Sequence, residues 1–388
     1  MIDRTIIVDK FKTSKVQTPF YYYDVDLLKQ TVETAKKEAK KRDYILHYAL
    51  KANANPRLLK IIFAAGFGAD CVSGNEIFRA LENGAKQEGI MFAGVGKSDL
   101  EIKIGLYNNI FAFNCESIPE MENINYLARM KGLKVYNIGI RINPDVDAKT
   151  HEYISTGKKE NKFGISAWDF EKVIEKLKKL EYIRLTSLHF HIGSQIMDMT
   201  VFAELCQRVN HFNQWFKDRG FELEHINVGG GLGVDYQTPD ANPIPDFATY
   251  FSTFKQNLKL FPGQKLHFEP GRSIVAQCGS LITRVLYVKE GKTKDFVIVD
   301  AGMTDLIRPA LYQAHHHIEN LSSDAPVKHY DVVGPICESS DCFAKDVLLP
   351  ETKRDNFIAL RSTGAYGEVM ASKYNLRDLP KTVFSDEI

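Results

Sequence analysis

The sequence contains no run of about 18 consecutive apolar residues, so nothing in it reads as a membrane span. It has no surplus of either charge: 50 Lys and Arg stand against 49 Asp and Glu, a formal net charge of +1. A balance that close excludes the electrostatic footprint selected by nucleic acid or an anionic membrane. The densest basic stretch, Lys36-Lys37-Glu38-Ala39-Lys40-Lys41-Arg42, is short, holds a glutamate, and reads as the solvated end of a helix. The six cysteines (Cys71, Cys115, Cys206, Cys278, Cys337 and Cys342) form no C-x-x-C pair, which excludes a zinc ribbon or a disulfide framework and predicts mostly buried thiols. The opening residues Met1-Ile2-Asp3-Arg4-Thr5 lack the charged-then-apolar pattern of a signal peptide, so the expectation is a cytoplasmic protein. No internal repeat or low-complexity segment interrupts the chain.

What is present is an ordinary globular composition, 44% hydrophobic and 26% charged over 388 residues. That is enough chain for two domains, or for one large barrel with an appendage. From residue 20 to 275 a short apolar run, a polar or glycine-bearing end and a helical stretch recur. The runs are Tyr44–Ala52, Phe67–Ser73, Ile90–Ser98, Ile110–Ser117, Val135–Pro144, Leu185–Ser194, His225–Gly233 and Lys265–Ser273. Helical spacing fills the intervals, as in Asp26–Lys41, Pro56–Ala65, Asn75–Asn83 and Ala167–Leu180. Eight such units predict an α/β fold of the (β/α)8 barrel type over residues 20–275, with an open doubly wound sheet as the alternative. Each run ends in residues with chemical use: Lys51 and Asn53, Asp70, Lys97, Asn114 and Glu116, Arg141 and Asn143, His191 and Ser194, Gly229–Gly233, and Glu269 with Arg272. A barrel brings all of these ends to one face, whereas an open sheet gathers only a few at its switch point, which favours the barrel. Residues 276–388 change texture. Ser280–Lys289, Asp295–Asp300, His329–Val333 and Asn356–Arg361 read as strands, which predicts a second, β-rich C-terminal domain on which residues 1–19 would pack.

Several of these residues could do chemistry. Lys51, with apolar neighbours on both sides, is either an edge residue whose amine reaches water or a desolvated amine able to attack a carbonyl. Gly229-Gly230-Gly231-Leu232-Gly233 ends the seventh run, where barrels place their phosphate sites; it is a phosphate cradle or merely a tight turn. It is not G-x-G-x-x-G, so a nicotinamide cofactor is not expected. Gly94-Val95-Gly96-Lys97-Ser98 resembles the tail of a P-loop but fails at Met91, where the first glycine belongs. His189-Phe190-His191 is a possible metal pair without further ligands, and His191 with Ser194 fits better as an imidazole facing a ligand ring and a hydroxyl for phosphate. His315-His316-His317 is expected on a helix, at a surface or an interface. Glu269-Pro270-Gly271-Arg272 offers a carboxylate for a pyridinium nitrogen, with Gly271 and Arg272 for phosphate or a carboxylate. Cys337 beside Glu338 is a proton donor or a packed thiol.

Together these motifs resemble the fold-type III pyridoxal-phosphate-dependent decarboxylases, over nearly the whole chain, and most closely their diaminopimelate-cleaving branch. Tyr48–Asn53, His191–Gln195, Gly229–Gly233 and Glu269–Arg272 are shared with the ornithine and arginine decarboxylases. The segments around Arg308 and Cys337, and Tyr366–Asn375, point to diaminopimelate; after Asn375 the chain departs from the family pattern. The resemblance implies pyridoxal 5′-phosphate as cofactor, no metal, and Lys51 as the lysine that condenses with the aldehyde. It puts His191 on the pyridine ring and Glu269 on its nitrogen, with Asp70 and Pro270 among the cofactor contacts. Ser194, Gly229, Gly230, Gly231, Gly271, Arg272 and Tyr366 would hold the phosphate. Arg272, Arg308, Tyr312, Glu338 and Tyr366 would bind a small amino-acid substrate, with Cys337 as proton donor. In this family Cys337 and Glu338 come from the neighbouring subunit, which implies a homodimer with shared active sites. The reaction implied is decarboxylation of meso-2,6-diaminopimelate to L-lysine. A decarboxylase of ornithine, arginine or carboxynorspermidine is the alternative; alanine racemase needs no Cys-Glu turn, and single-domain carriers of the cofactor lack the β domain.

Overall fold

The structure is a computed structural model that describes residues 4–13, 16–132, 135–147 and 162–388. Its contacts divide the chain into two compact units: residues 32–233 with 246–271, and residues 1–31 and 234–245 with 272–388. The first strand, β1 (Phe20–Tyr23), belongs to the second of these, and all four of its residues are buried.

The larger unit is a closed parallel barrel of eight strands. They are β2 (Ile45–Ala49), β3 (Gly68–Cys71), β4 (Ile90–Phe92), β5 (Ala112–Cys115), β6 (Tyr136–Arg141), β7 (Ile183–His189), β8 (His225–Asn227) and β9 (Lys265–Phe268). Seven strands fall within one apolar run each, β7 starts two residues before its run, and the ring closes where Ile45 and Leu46 pair with His267 and Phe268. The helices start where the sequence supplies caps. Ser73, Ser98 and Ser117 each accept a hydrogen bond from the backbone three residues on, and Ser98 forms a capping box with Glu101. This is the structural use of Ser98, the last residue of the segment that resembled a P-loop. Phe268 packs edge-on against Tyr250, Phe251 and Phe254 at centroid distances of 5.5, 4.9 and 4.9 Å, tying β9 to the helix Phe247–Asn257.

The other unit is built on an eight-stranded mixed sheet. After β10 (Gly279–Lys289) come β11 (Asp295–Val299), β12 (Ile318–Asn320), β13 (Val327–Val333), β14 (Cys342–Pro350), β15 (Phe357–Leu360) and β16 (Lys381–Phe384). The order is β12-β15-β10-β11-β13-β14, with β1 antiparallel to β10 and parallel to β16. Thus the segment that departs from the family pattern still contributes a strand, β16. The long β10 serves both halves by a bulge between Val285 and Tyr287: its first half pairs with β15, its second with β11. Residues Arg4–Thr13 are a helix, and its Val8 and Phe11 pack with Phe20, Ile282, Phe357 and Val383 in one apolar cluster. The three adjacent histidines differ from expectation. They follow the short helix Arg308–Tyr312 rather than lying on a helix. His316 is buried at 2% exposure, with Nδ1 2.9 Å from the Arg361 carbonyl.

Candidate active site

The barrel's strand ends are not equally available. Lys97 donates to Glu120 Oε1 at 2.5 Å and to the carbonyls of Gly94 and Asn114, so its amine is consumed internally. Arg141 pairs with Glu116 at 2.8 Å, and Glu116 also accepts from Gly94 N and Gly164 N. These pairs brace β4, β5 and β6, and the sequence offered nothing to separate them from reactive groups.

Lys51 is different. It sits in the single turn Leu50–Ala52 directly after β2, with 37% of its side chain accessible and Nζ 3.9 Å from Asp70 Oδ2. Of the two readings its neighbours in sequence left open, the structure favours the amine that reaches water; it stands beside a carboxylate and can reach a ligand. Asp70, at 1% exposure on β3, has no hydrogen bond to either carboxylate oxygen. Burial raises its pKa well above the ordinary carboxylate value, the charge on Glu269 adds to that, and Lys51 opposes it.

Glu269 follows β9. Its Oε1 accepts from Asn227 Nδ2 at 2.7 Å, and its Oε2 lies 3.1 Å from His189 Nε2. Burial pulls its pKa up, but His189 and then Lys51 outweigh burial and hold the carboxyl far below its usual range, so it stays ionised. Hence His189, read in sequence as half of a metal pair, is a partner of Glu269. Among the described residues no group of three or more His, Cys, Asp or Glu is placed to hold a metal ion. His191 is held neutral by burial first, then by the positive charge of Lys51 and Arg141. A neutral imidazole can lie over a pyridinium without repelling it.

The glycine loop is shaped by close approach. A Cβ on Gly230 would sit 2.3 Å from the Glu269 carbonyl oxygen, and Gly229 has φ of +70°. No other residue lets the loop lie this close to the Glu269 segment. Asn227 joins the two: its Oδ1 accepts from Gly229 N at 2.9 Å while its amide serves Glu269, and Glu269 N donates to Gly229 O at 2.8 Å. Ile196 pairs with Leu232, which brings the turn holding Ser194 beside the glycine loop. Pro270 O accepts from Ala49 N at 3.2 Å, and Gly271 packs against Ala49 and Ala52, on either side of Lys51.

The β-rich unit holds the remaining candidates. Arg272 donates from Nη1 to the Tyr236 hydroxyl at 2.6 Å and lies 4.9 Å over the Tyr366 ring. Arg308 is 5% exposed; Nη1 donates to the Ala365 carbonyl at 3.3 Å, and Nε has no hydrogen-bond partner. It has no carboxylate partner among the described residues. Tyr366 adopts φ of +56°, a strained backbone for a tyrosine. Tyr312 ends the helix that Arg308 begins. Cys337 and Glu338 lie together on an exposed turn, with Cys337 N donating to Asn375 Oδ1 at 3.4 Å. The sequence reading missed Asn227, the true partner of His189, and Tyr236; only the adjacency of Asn227 and Tyr236 to the glycine loop could have marked them.

These features are those a barrel enzyme working with a phosphorylated pyridine aldehyde needs: an accessible amine, a close-packed glycine loop and an ionised carboxylate. Residues 25–276 match the family model of the pyridoxal-dependent decarboxylase, pyridoxal binding domain, and the chain belongs to that family. The diaminopimelate decarboxylase of Bacteroides thetaiotaomicron is 56% identical, over 98% of each chain. That of Helicobacter pylori J99 is 45% identical over 95% of this chain and 89% of its own. The crystal structure of the Helicobacter pylori diaminopimelate decarboxylase complexed with L-lysine superposes with a TM-score of 0.92, at 42% identity, covering 98% of this chain and 94% of that one. The cofactor is pyridoxal 5′-phosphate. The residues present fit it: a loop that any Cβ would fill, two orphaned oxygens on Asp70, and an ionised Glu269.

Proposed function

We propose that this protein decarboxylates meso-2,6-diaminopimelate to L-lysine and CO2, the last step of lysine biosynthesis. Its family membership and the named relatives support the reaction. The observation that carries the substrate is Arg308, a buried guanidinium with an unpartnered Nε and no carboxylate beside it. A charge buried at that cost is supported by an anion, and the distal amino-acid head of diaminopimelate brings one.

Bound pyridoxal phosphate supplies an electron sink for the pair left behind when CO2 departs. Lys51 would hold the cofactor through its amine, in competition with the amines of substrate and product. Glu269, kept ionised by His189 and oriented by Asn227, would hold a proton on the pyridine nitrogen. His191 would cover the ring; Ser194, Gly229, Gly230, Gly231, Gly271 and Tyr366 would bind phosphate, with Asp70 and Pro270 supporting the cofactor. Arg272 and Arg308 receive the distal carboxylate, Glu338 the distal ammonium, and Tyr312 lines the substrate. Cys337 gives a proton to the carbon that lost CO2, so one proton is taken up for each CO2 released.

An exposed thiol is a poor stereospecific acid, and Cys337 and Glu338 are both exposed in the single chain. That supports a homodimer in which this turn completes the partner's site. Mixing inactive Lys51→Ala with inactive Cys337→Ala protein should restore about a quarter of wild-type activity, because half of randomly exchanged dimers would hold one intact site. No recovery after demonstrated subunit exchange sinks the shared site.

No helix among the described residues is long and apolar enough to cross a membrane, and we place the enzyme in the cytoplasm with the soluble substrate. The reaction itself is tested by assaying CO2 release from meso-diaminopimelate, ornithine, arginine and lysine in parallel. Diaminopimelate should be preferred by at least two orders of magnitude in kcat/KM, on the order of what a lost charged partner costs. Preference for ornithine or arginine overturns the substrate and leaves the cofactor chemistry standing.

A further inference from the structure

Tyr236 lies in the segment 234–245, which belongs to the same compact unit as Arg272 and Arg308. It is 8% exposed, and its hydroxyl oxygen accepts from Arg272 Nη1 at 2.6 Å. The guanidinium carbons of Arg308 and Arg272 lie 5.3 and 5.9 Å from its ring centroid. His316 stands edge-on to the same ring at 5.2 Å, with its Nδ1 turned to the Arg361 carbonyl. Two buried cations therefore share one phenol.

The chemistry of that acceptor matters. Two like charges in a buried setting repel, and something must hold them together. A carboxylate would do so, but it would neutralise one guanidinium and turn away an incoming carboxylate. A phenol accepts a hydrogen bond while leaving both positive charges intact. Burial opposes ionisation of Tyr236, but the two arginines outweigh burial and lower its pKa, which makes the oxygen a stronger acceptor. The imidazole of His316 adds no charge: burial, then Arg308, lowers its pKa to about 3.

We propose that Tyr236 is the positioning residue that holds Arg272 and Arg308 side by side as a receptor for the carboxylate the substrate keeps, and so sets the preference for an amino acid with a second carboxylate. This rests on the reading of Arg272 and Arg308 given above.

The test uses the holoenzyme and Tyr236→Phe, which keeps the ring and removes the oxygen. The KM for meso-diaminopimelate should rise about tenfold, the loss expected for one hydrogen bond to a charged group, with kcat within about twofold. Product inhibition provides a readout that general damage would not produce. L-Lysine keeps the distal carboxylate; 1,5-diaminopentane lacks it. The inhibition constant for lysine should rise about tenfold and that for the diamine should stay within about twofold. Their ratio does not depend on the fraction of protein folded. Should the Phe protein fail to retain cofactor, Tyr236→His, with an acceptor nitrogen, carries the same comparison, and there the ratio should stay close to wild type. If both constants rise together, if kcat falls instead of KM rising, or if the His ratio collapses, the proposal is overturned. Arg308→Ala separates the two layers. If it too leaves lysine inhibition unchanged, the reading of the arginines fails. If it weakens lysine while Tyr236→Phe does not, only the role of Tyr236 fails.

Discussion

Lys51→Ala is expected to lower turnover by roughly three orders of magnitude or more, the scale of losing the group that forms and breaks the covalent link to substrate. The amine stands in the turn after β2, 3.9 Å from Asp70, and reaches solvent over 37% of its side chain. Without it, the product amine has no intramolecular competitor and leaves the cofactor only slowly. A second measurement separates this role from a structural one. Borohydride reduction of the wild-type protein should fix the cofactor covalently to the peptide carrying Lys51, whereas the Lys51→Ala protein should release it on denaturation. Fixation at another lysine, such as Lys97, would falsify the assignment. Lys97 is a fair control, because its amine is occupied by Glu120 and two backbone carbonyls.

Arg308→Ala should cost at least tenfold in kcat/KM on meso-diaminopimelate. Truncating one member of a desolvated charge pair costs about 2–5 kcal/mol, roughly 30-fold to several thousandfold. The same change should not harm any trace activity on lysine, whose far end is a bare ammonium that a guanidinium repels. The contrast between the two substrates guards against a trivial cause, since a general packing defect at this buried site would lower both. Unchanged diaminopimelate turnover in Arg308→Ala would remove the structural argument for this substrate.

By itself the sequence determined the alternation of apolar runs with helical stretches, and the lysine, glycine and glutamate segments at the strand ends. Both are local. A strand is marked by a few residues of one pattern, so a short window contains the whole signal. The shorter or more polar strands were harder to see. In β14, Lys345 and Asp346 break the apolar pattern and Asp346 turns to φ of +55°; β12 has only three residues. Tertiary structure alone decided which strand-end charges are spent and which remain for a ligand. Glu116 finds Arg141 25 residues away, His189 finds Glu269 80 residues away, and Arg272 finds Tyr236 36 residues away. Nothing in a window of sequence distinguishes an arginine destined for a buried carboxylate from one hydrogen-bonded to a phenol. That difference is set by burial and by the partner each guanidinium meets, and both exist only once the chain has closed on itself.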